Sequence, residues 1–166
     1  MDLGLQLGYW GQLPPADWVE RSVEADRLGY RSVWAAEAWG SDAFSPLAYL
    51  SAVTSNVQLG TAVAQLAART PTATAMSAIT IDHLSSGRFR LGLGVSGPQV
   101  VEGWYGRPSN QPLARTREYV EIIRRVVARE EPLDFQGTFH QHPFHGDGSV
   151  GLGKSLKSIV HPLRRH

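Results

Sequence analysis

The chain has 166 residues, 42% of them hydrophobic, a net charge of +1 and no cysteine. This length supports one packed core, and the lack of cysteine excludes disulfides and cysteine-ligated metals and points to a reducing cytoplasm. No apolar run nears the ~20 residues of a membrane span, and the start MDLGLQLGYW lacks the basic region of a secretory signal.

The elements alternate along the chain. LGLQLGYW (3–10) places Leu3, Leu5 and Leu7 at every second position, as a strand does. PPADWVERSVEADRLGY follows as a helix. Pro14 and Pro15 suit its start, Trp18, Val19, Ser22, Val23, Asp26 and Arg27 recur at helical spacing, and Gly29 suits its stop. YRSVWAAEAW (30–39) is a second strand, and SPLAYLSAVTS (45–55) a short helix opened by Ser45 and Pro46. NVQLGTAVAQLA (56–67) is a third strand, and TPTATAMSAITIDHLSSG (70–87) repeats the Thr-Pro helix entry and stops at Gly87. RFRLGLGV (88–95) is the fourth strand. PLARTREYVEIIRRVVARE (112–130) is the clearest helix, with Tyr119, Ile122, Ile123, Val126 and Val127 on one stripe.

Residues 1–131 thus form four β-α units, and residues 132–166 read as an irregular connector with one short hairpin at LDFQGTFHQ. The charge divides at the same place. The first 147 residues hold twelve Lys and Arg against fifteen acids, net −3, while the last nineteen hold Lys154, Lys157, Arg164 and Arg165 and no acid, net +4. We read this tail as a solvated connector rather than a nucleic-acid contact. Strands separated by helices run parallel with right-handed crossovers. The class is therefore α/β, and both a doubly wound sheet and a (β/α)8 barrel of the TIM type are open on this pattern.

Four stretches are candidates for chemistry. Gly92, Gly94 and Gly97 spell G-x-G-x-x-G, the spacing of a dinucleotide-binding turn. Such a turn lies on the first strand and opens directly into a long helix. Here the glycines alternate within the fourth strand and Pro98 follows, so close packing against that strand is the better reading. Glu37, flanked by Ala35, Ala36, Ala38 and Trp39, is either a partly desolvated carboxylate suited to proton transfer or a surface acid. Ala62, Val63 and Ala64 are small and apolar at a strand end, which suits ordinary core as well as a site. His140, His142, His145 and Asp147 are metal-ligand types, but a loop rich in histidine binds metal adventitiously more often than by selection, and no metal is expected.

Taken together, YRSVWAAEAWGSDAFSPLAYL, VQLGTAVAQLAARTPTATAMSAITIDHLSSGRFRLGLGVSG and PLARTREYVEIIRRVV resemble the bacterial luciferase-like flavin and deazaflavin oxidoreductases. The most specific run is Asp82 to Gly97, DHLSSGRFRLGLGVSG, and the likeness is closest to the branch that uses the 5-deazaflavin coenzyme F420. The resemblance implies a (β/α)8 barrel with the cofactor, F420 or alternatively FMN, at the C-terminal strand ends. It also implies hydride transfer to or from a small organic substrate. By position, a non-prolyl cis peptide backing the ring falls at Ala62–Val63. The ring contacts fall on Glu37, Gln65, Ser96 and Gly97, with Gly94 beside them and Glu37 as the catalytic candidate. Where some deazaflavin dehydrogenases carry Asp-His this chain has Glu37-Ala38, and where they carry glutamate it has Pro98, so the substrate stays open.

A (β/α)8 barrel takes roughly 250 residues, so the resemblance implies the N-terminal half only, ending before strand five. Strands one and four would then have bare edges, which suit self-association into a homo-oligomer. Neither nucleic acid nor a membrane is expected as a partner. Two further readings stand beside the oxidoreductase: a non-catalytic half-barrel that acts through association, and a doubly wound nucleotide-binding module.

Overall fold

The computed structural model describes residues 1–163, so Arg164 and Arg165 of the basic tail lie outside the described residues. In chain order the barrel-forming part runs β1 Gly4–Gln6, α1 Trp18–Arg27, β2 Ser32–Ala35, α2 Phe44–Val53 and β3 Gln58–Thr61. It continues β4 Ala64–Gln65, α3 Pro71–Leu84, β5 Phe89–Arg90, β6 Leu93–Gly94, α4 Pro98–Val101 and α5 Pro112–Ala128. A hairpin of β7 Phe135–Gln136 and β8 Gln141–His142 follows.

Local chemistry sets most element ends. Thr70 caps α3 by accepting from the Ala73 N–H, and Pro71 takes the first helical position. Gly29 and Gly87 sit in left-handed backbone just past α1 and α3, where a glycine costs nothing. Two starts differ from expectation. α1 opens at Trp18: Asp17 directly before it takes left-handed backbone at φ 54°, so no helix runs on from Pro14 and Pro15. α2 opens at Phe44 because Asp42 Oδ1 accepts from the N–H groups of Phe44 and Ser45 at 2.7 and 2.8 Å, so Asp42 rather than Ser45 begins the helix.

The strands are parallel in the order β1-β2-β3-β5, which is their order along the chain. A doubly wound sheet reverses direction at a switch point; this one does not. The helices pack in the same succession, α1 on α2, α2 on α3 and α3 on α5, as in a (β/α)8 barrel. Leu5, Val33, Leu59 and Phe89 face this helix layer and join Leu47, Leu50 and Ile81 in the main core. The opposite face carries Gln6, Ser32, Trp34, Gln58, Gly60 and Arg90. Among the described residues no helix is long and apolar enough to cross a membrane.

Strands three and four each break in the middle, and the break is a bulge. Gly60 aligns with Arg90 and Ala64 with Leu93, so three residues of strand three span two of strand four. The Ala62–Val63 peptide in this bulge is cis, at the position the resemblance implies. The hairpin is tied to α5 by Glu118, whose carboxylate accepts from the N–H groups of Thr138, Phe139 and His140 and lies 3.2 Å from His140 Nδ1.

Candidate functional site

The C-terminal ends of strands two, three and four meet at one place, and Glu37 lies at its centre. Its Oε1 accepts from Arg69 Nη2 at 2.6 Å, and its Oε2 accepts from Arg69 Nη1 at 2.9 Å and from the Gln65 N–H at 2.7 Å. The carboxylate is only 2% exposed and the guanidinium 22%, so this is an interior ion pair. Burial alone would lower the Arg69 pKa, but the hydrogen bonds and charge of Glu37 outweigh it and hold it above its ordinary value. The Arg69 guanidinium also lies over the Phe44 ring at 4.7 Å.

Gln65 is buried with Glu37. Its Nε2 donates to the Glu37 carbonyl at 2.8 Å, which turns the amide and leaves Oε1 buried without a partner among the described residues. A buried amide oxygen left bare costs about 1–3 kcal/mol, so this atom is suited to a donor from outside the chain. The bulge beside it is open: Val63 is 39% exposed, and Ala62 and Gly94 are half-buried. Val63 packs against Gly94, where an added Cβ would lie 2.3 Å from Val63 Cγ2. Ser96, exposed and in left-handed backbone at φ 66°, and exposed Gly97 continue from β6 past this surface. Gly97 precedes the four-residue helix α4, too short for a pyrophosphate-binding helix. Gly92 and Gly94 are small because strand three presses on them.

The expected residues therefore fall into two contacting pairs, Glu37 with Gln65 and Val63 with Gly94, around one bulge. Sequence reasoning missed what surrounds them. Arg69 also lines a recess of about 270 Å³ together with Arg107, Arg115, His140, Tyr119 and Phe139, and no Asp or Glu lines it. Arg115 lies over the Phe139 ring at 4.1 Å and is steadied by Asn110. The Tyr119 hydroxyl donates to the Arg69 carbonyl at 3.1 Å and pairs with Thr74 Oγ1, so α5 braces the segment that carries Arg69. Burial raises the Tyr119 pKa, which keeps this hydroxyl a donor.

A family model described as luciferase-like monooxygenase matches residues 5–150. The chain belongs to the luciferase-like monooxygenase family. This luciferase-like chain is 59% identical to a Mycobacterium tuberculosis protein named "Putative coenzyme F420-dependent oxidoreductase", over 99% of its own length and 47% of that protein's. Its fold matches the crystal structure of a monooxygenase from Streptomyces bottropensis with a TM-score of 0.78 at 25% identity, covering 99% of this chain and 51% of that one. It also matches the oxygenating constituent of 3,6-diketocamphane monooxygenase from Pseudomonas putida, solved in complex with FMN. That TM-score is 0.73 at 22% identity, with 85% of this chain and 42% of that one covered, and it bears on fold alone. The luciferase-like chain thus spans about half the length of these relatives.

Arg69 was legible in one respect, as a lone cation directly before the Thr70-Pro71 helix start, but its partner lies 32 residues earlier. In the histidine-rich segment, His140 is engaged by Glu118, and among the described residues no group of three His, Asp or Glu is placed to hold a metal.

Proposed function

We propose that this chain forms the ring-binding half of an oxidoreductase that moves hydride between a deazaflavin, coenzyme F420, and a small organic substrate. The observation that carries this is the bare, buried Gln65 Oε1 beside the open bulge, an acceptor waiting for an N–H of a fused heteroaromatic ring. Val63, Ala62 and Gly94 offer the apolar bed for such a ring, with Ser96 and Gly97 at its edge. The acid-free recess of Arg107 and Arg115 suits the phosphate of its tail. The choice of F420 over FMN follows the 59% identical relative.

The bound cofactor supplies the hydride chemistry, and the protein supplies position and electrostatics. Glu37 acts here as a positioning residue. Its carboxylate is spent on Arg69 and on the Gln65 N–H, bonds it must give up before it takes a proton. It fixes Gln65, and Gln65 orients the ring.

Titration of the chain with oxidised F420 and with FMN, followed by absorbance and fluorescence, tests this. The expected result is weak binding of F420, above micromolar, with FMN weaker still and Gln65→Leu weaker by about tenfold, the share of one buried hydrogen bond. Tighter binding of FMN overturns the choice of cofactor, and indifference to Gln65→Leu overturns the site.

A second reading has its own observation: among the described residues, β1 and β5 each pair with a strand on one side only. Edge-to-edge association of chains is the use we propose for them, whether or not the cofactor is held.

A further inference from the structure

The segments that leave the strand ends at the site carry few charges, and each charge is already in use. These segments are residues 7–17 after β1, 36–43 after β2, 66–70 after β4 and 95–111 after β6. Their charged residues are Asp17, Glu37, Asp42, Arg69, Glu102 and Arg107, and they hold no lysine or histidine. Asp17 lies 3.5 Å from Arg21, one turn into α1. Glu37 and Arg69 pair with each other. Asp42 caps α2. Glu102 accepts from the Ser109 hydroxyl. Arg107 lines the recess that suits the cofactor phosphate. These contacts lie within the four segments and the helices they enter, so they hold whatever stands across the barrel mouth.

Aromatic side chains stand where free charge does not. The chain has five tryptophans and five tyrosines, and Tyr9, Trp10, Trp39, Trp104 and Tyr105 lie on these segments. Trp10 is held from the helix layer: its ring meets Trp18 at 5.6 Å, and Trp18 meets Tyr49 at 5.7 Å. A Cβ on Gly40 would lie 3.3 Å from the Trp10 carbonyl, so the first loop rests on the second directly beside Trp39. Trp39 stands two residues after Glu37, and Trp104 shortly after α4, which opens just past Gly97. Both indoles are exposed, and Val63 and Val95 add apolar surface at the bulge and past the end of β6. Tryptophan gives a large flat apolar face. A charged group brought against it loses water and gains no opposite charge.

We propose that the compound that exchanges hydride at this site is neutral and largely apolar, with a flat unsaturated portion laid against Trp39 and Trp104, and that carboxylated and phosphorylated compounds are rejected. This rests on the hydride-transfer reading above and names its substrate class.

Equilibrium dialysis of the full chain against 1-acetonaphthone and 1-naphthoate compares two probes of nearly one size that differ in charge. The neutral ketone should bind at least tenfold more tightly. Trp39→Lys, which trades the ring for a cation, should weaken the ketone at least tenfold and tighten naphthoate. Trp104→Ala should weaken the ketone without favouring naphthoate. Both indoles are exposed, so these variants should keep the wild-type far-ultraviolet spectrum. Equal affinity for the two probes overturns the substrate class, as does a preference that Trp39→Lys and Trp104→Ala leave unchanged. The F420 titration separates this from the reading beneath it. F420 binding that Gln65→Leu weakens, with no preference between the probes, overturns the substrate class alone. A preference for the ketone without such F420 binding overturns the hydride-transfer reading and leaves only an apolar binding face.

Discussion

Thr61 Oγ1 donates to the Gly92 carbonyl at 2.7 Å and accepts from the Gly92 N–H at 2.8 Å. One hydroxyl thereby bonds both backbone groups of Gly92 where strands three and four bulge. Gly92 O also accepts from Ala64 N–H at 2.9 Å, so the hydroxyl and the strand beyond the bulge close on the same carbonyl.

Replacement of that hydroxyl should therefore loosen the bulge without opening the core. Thr61→Val, nearly the same in volume, leaves the Gly92 N–H bare and should cost about 1–3 kcal/mol in urea unfolding. Gly92→Ala should cost more, about 3 kcal/mol, because its Cβ would lie 2.2 Å from the backbone oxygen of Thr61. Gly94→Ala meets a methyl of half-exposed Val63, which turns aside, for about 1 kcal/mol. Equal costs for the two alanines would contradict this account.

The interior pair predicts an order of effects. Removal of one partner of a buried ion pair costs about 3 kcal/mol or more. Arg69→Met strands Glu37, 2% exposed, while Glu37→Gln strands Arg69, 22% exposed. Arg69→Met should thus destabilise more than Glu37→Gln, as read by thermal melting. Glu37→Gln should weaken F420 binding less than Gln65→Leu does, because the Glu37 carbonyl that holds Gln65 Nε2 remains.

The recess lined by three arginines makes a prediction that depends on salt. With Arg107 and Arg115 both changed to Gln, F420 affinity should fall at least tenfold and lose most of its dependence on ionic strength. An unchanged salt profile in fluorescence titrations would place the phosphate elsewhere.

Docking of the hairpin should respond to acid. Burial would raise the Glu118 pKa, but the N–H donors of Phe139 and Thr138, with His140, outweigh it and hold it below its ordinary 4.5. A depressed carboxyl contributes stability that is present above pH 4.5 and lost as pH falls through the folded value. Burial and the neighbouring His140 likewise hold the pKa of His142 below 6.5, so that part of the stability declines as pH drops under 6.5. Limited proteolysis should therefore cut residues 132–163 faster in two stages, below about pH 6.5 and again below pH 4.5. Glu118→Gln should remove the second stage.

Much of this was readable from the residues alone. The alternation of elements, the Thr70-Pro71 entry, the stops at Gly29 and Gly87 and the buried stripe of Tyr119, Ile122 and Ile123 all follow from contacts within a few residues, where periodicity and capping act. The family-specific run DHLSSGRFRLGLGVSG added where the strand ends would meet, and Glu37 and Gln65 do meet there. Other features depend on residues brought together from afar. Glu37 and Arg69 stand 32 apart, Thr61 and Gly92 31, and Glu118 and Phe139 21. Even the choice between barrel and doubly wound sheet needed the spatial order of four strands, which the order of elements along the chain leaves open. The sequence by itself determined what each segment is. The tertiary structure decided which carboxylate meets which guanidinium, because an ion pair or a bulge bond forms only once the sheet has set the distance.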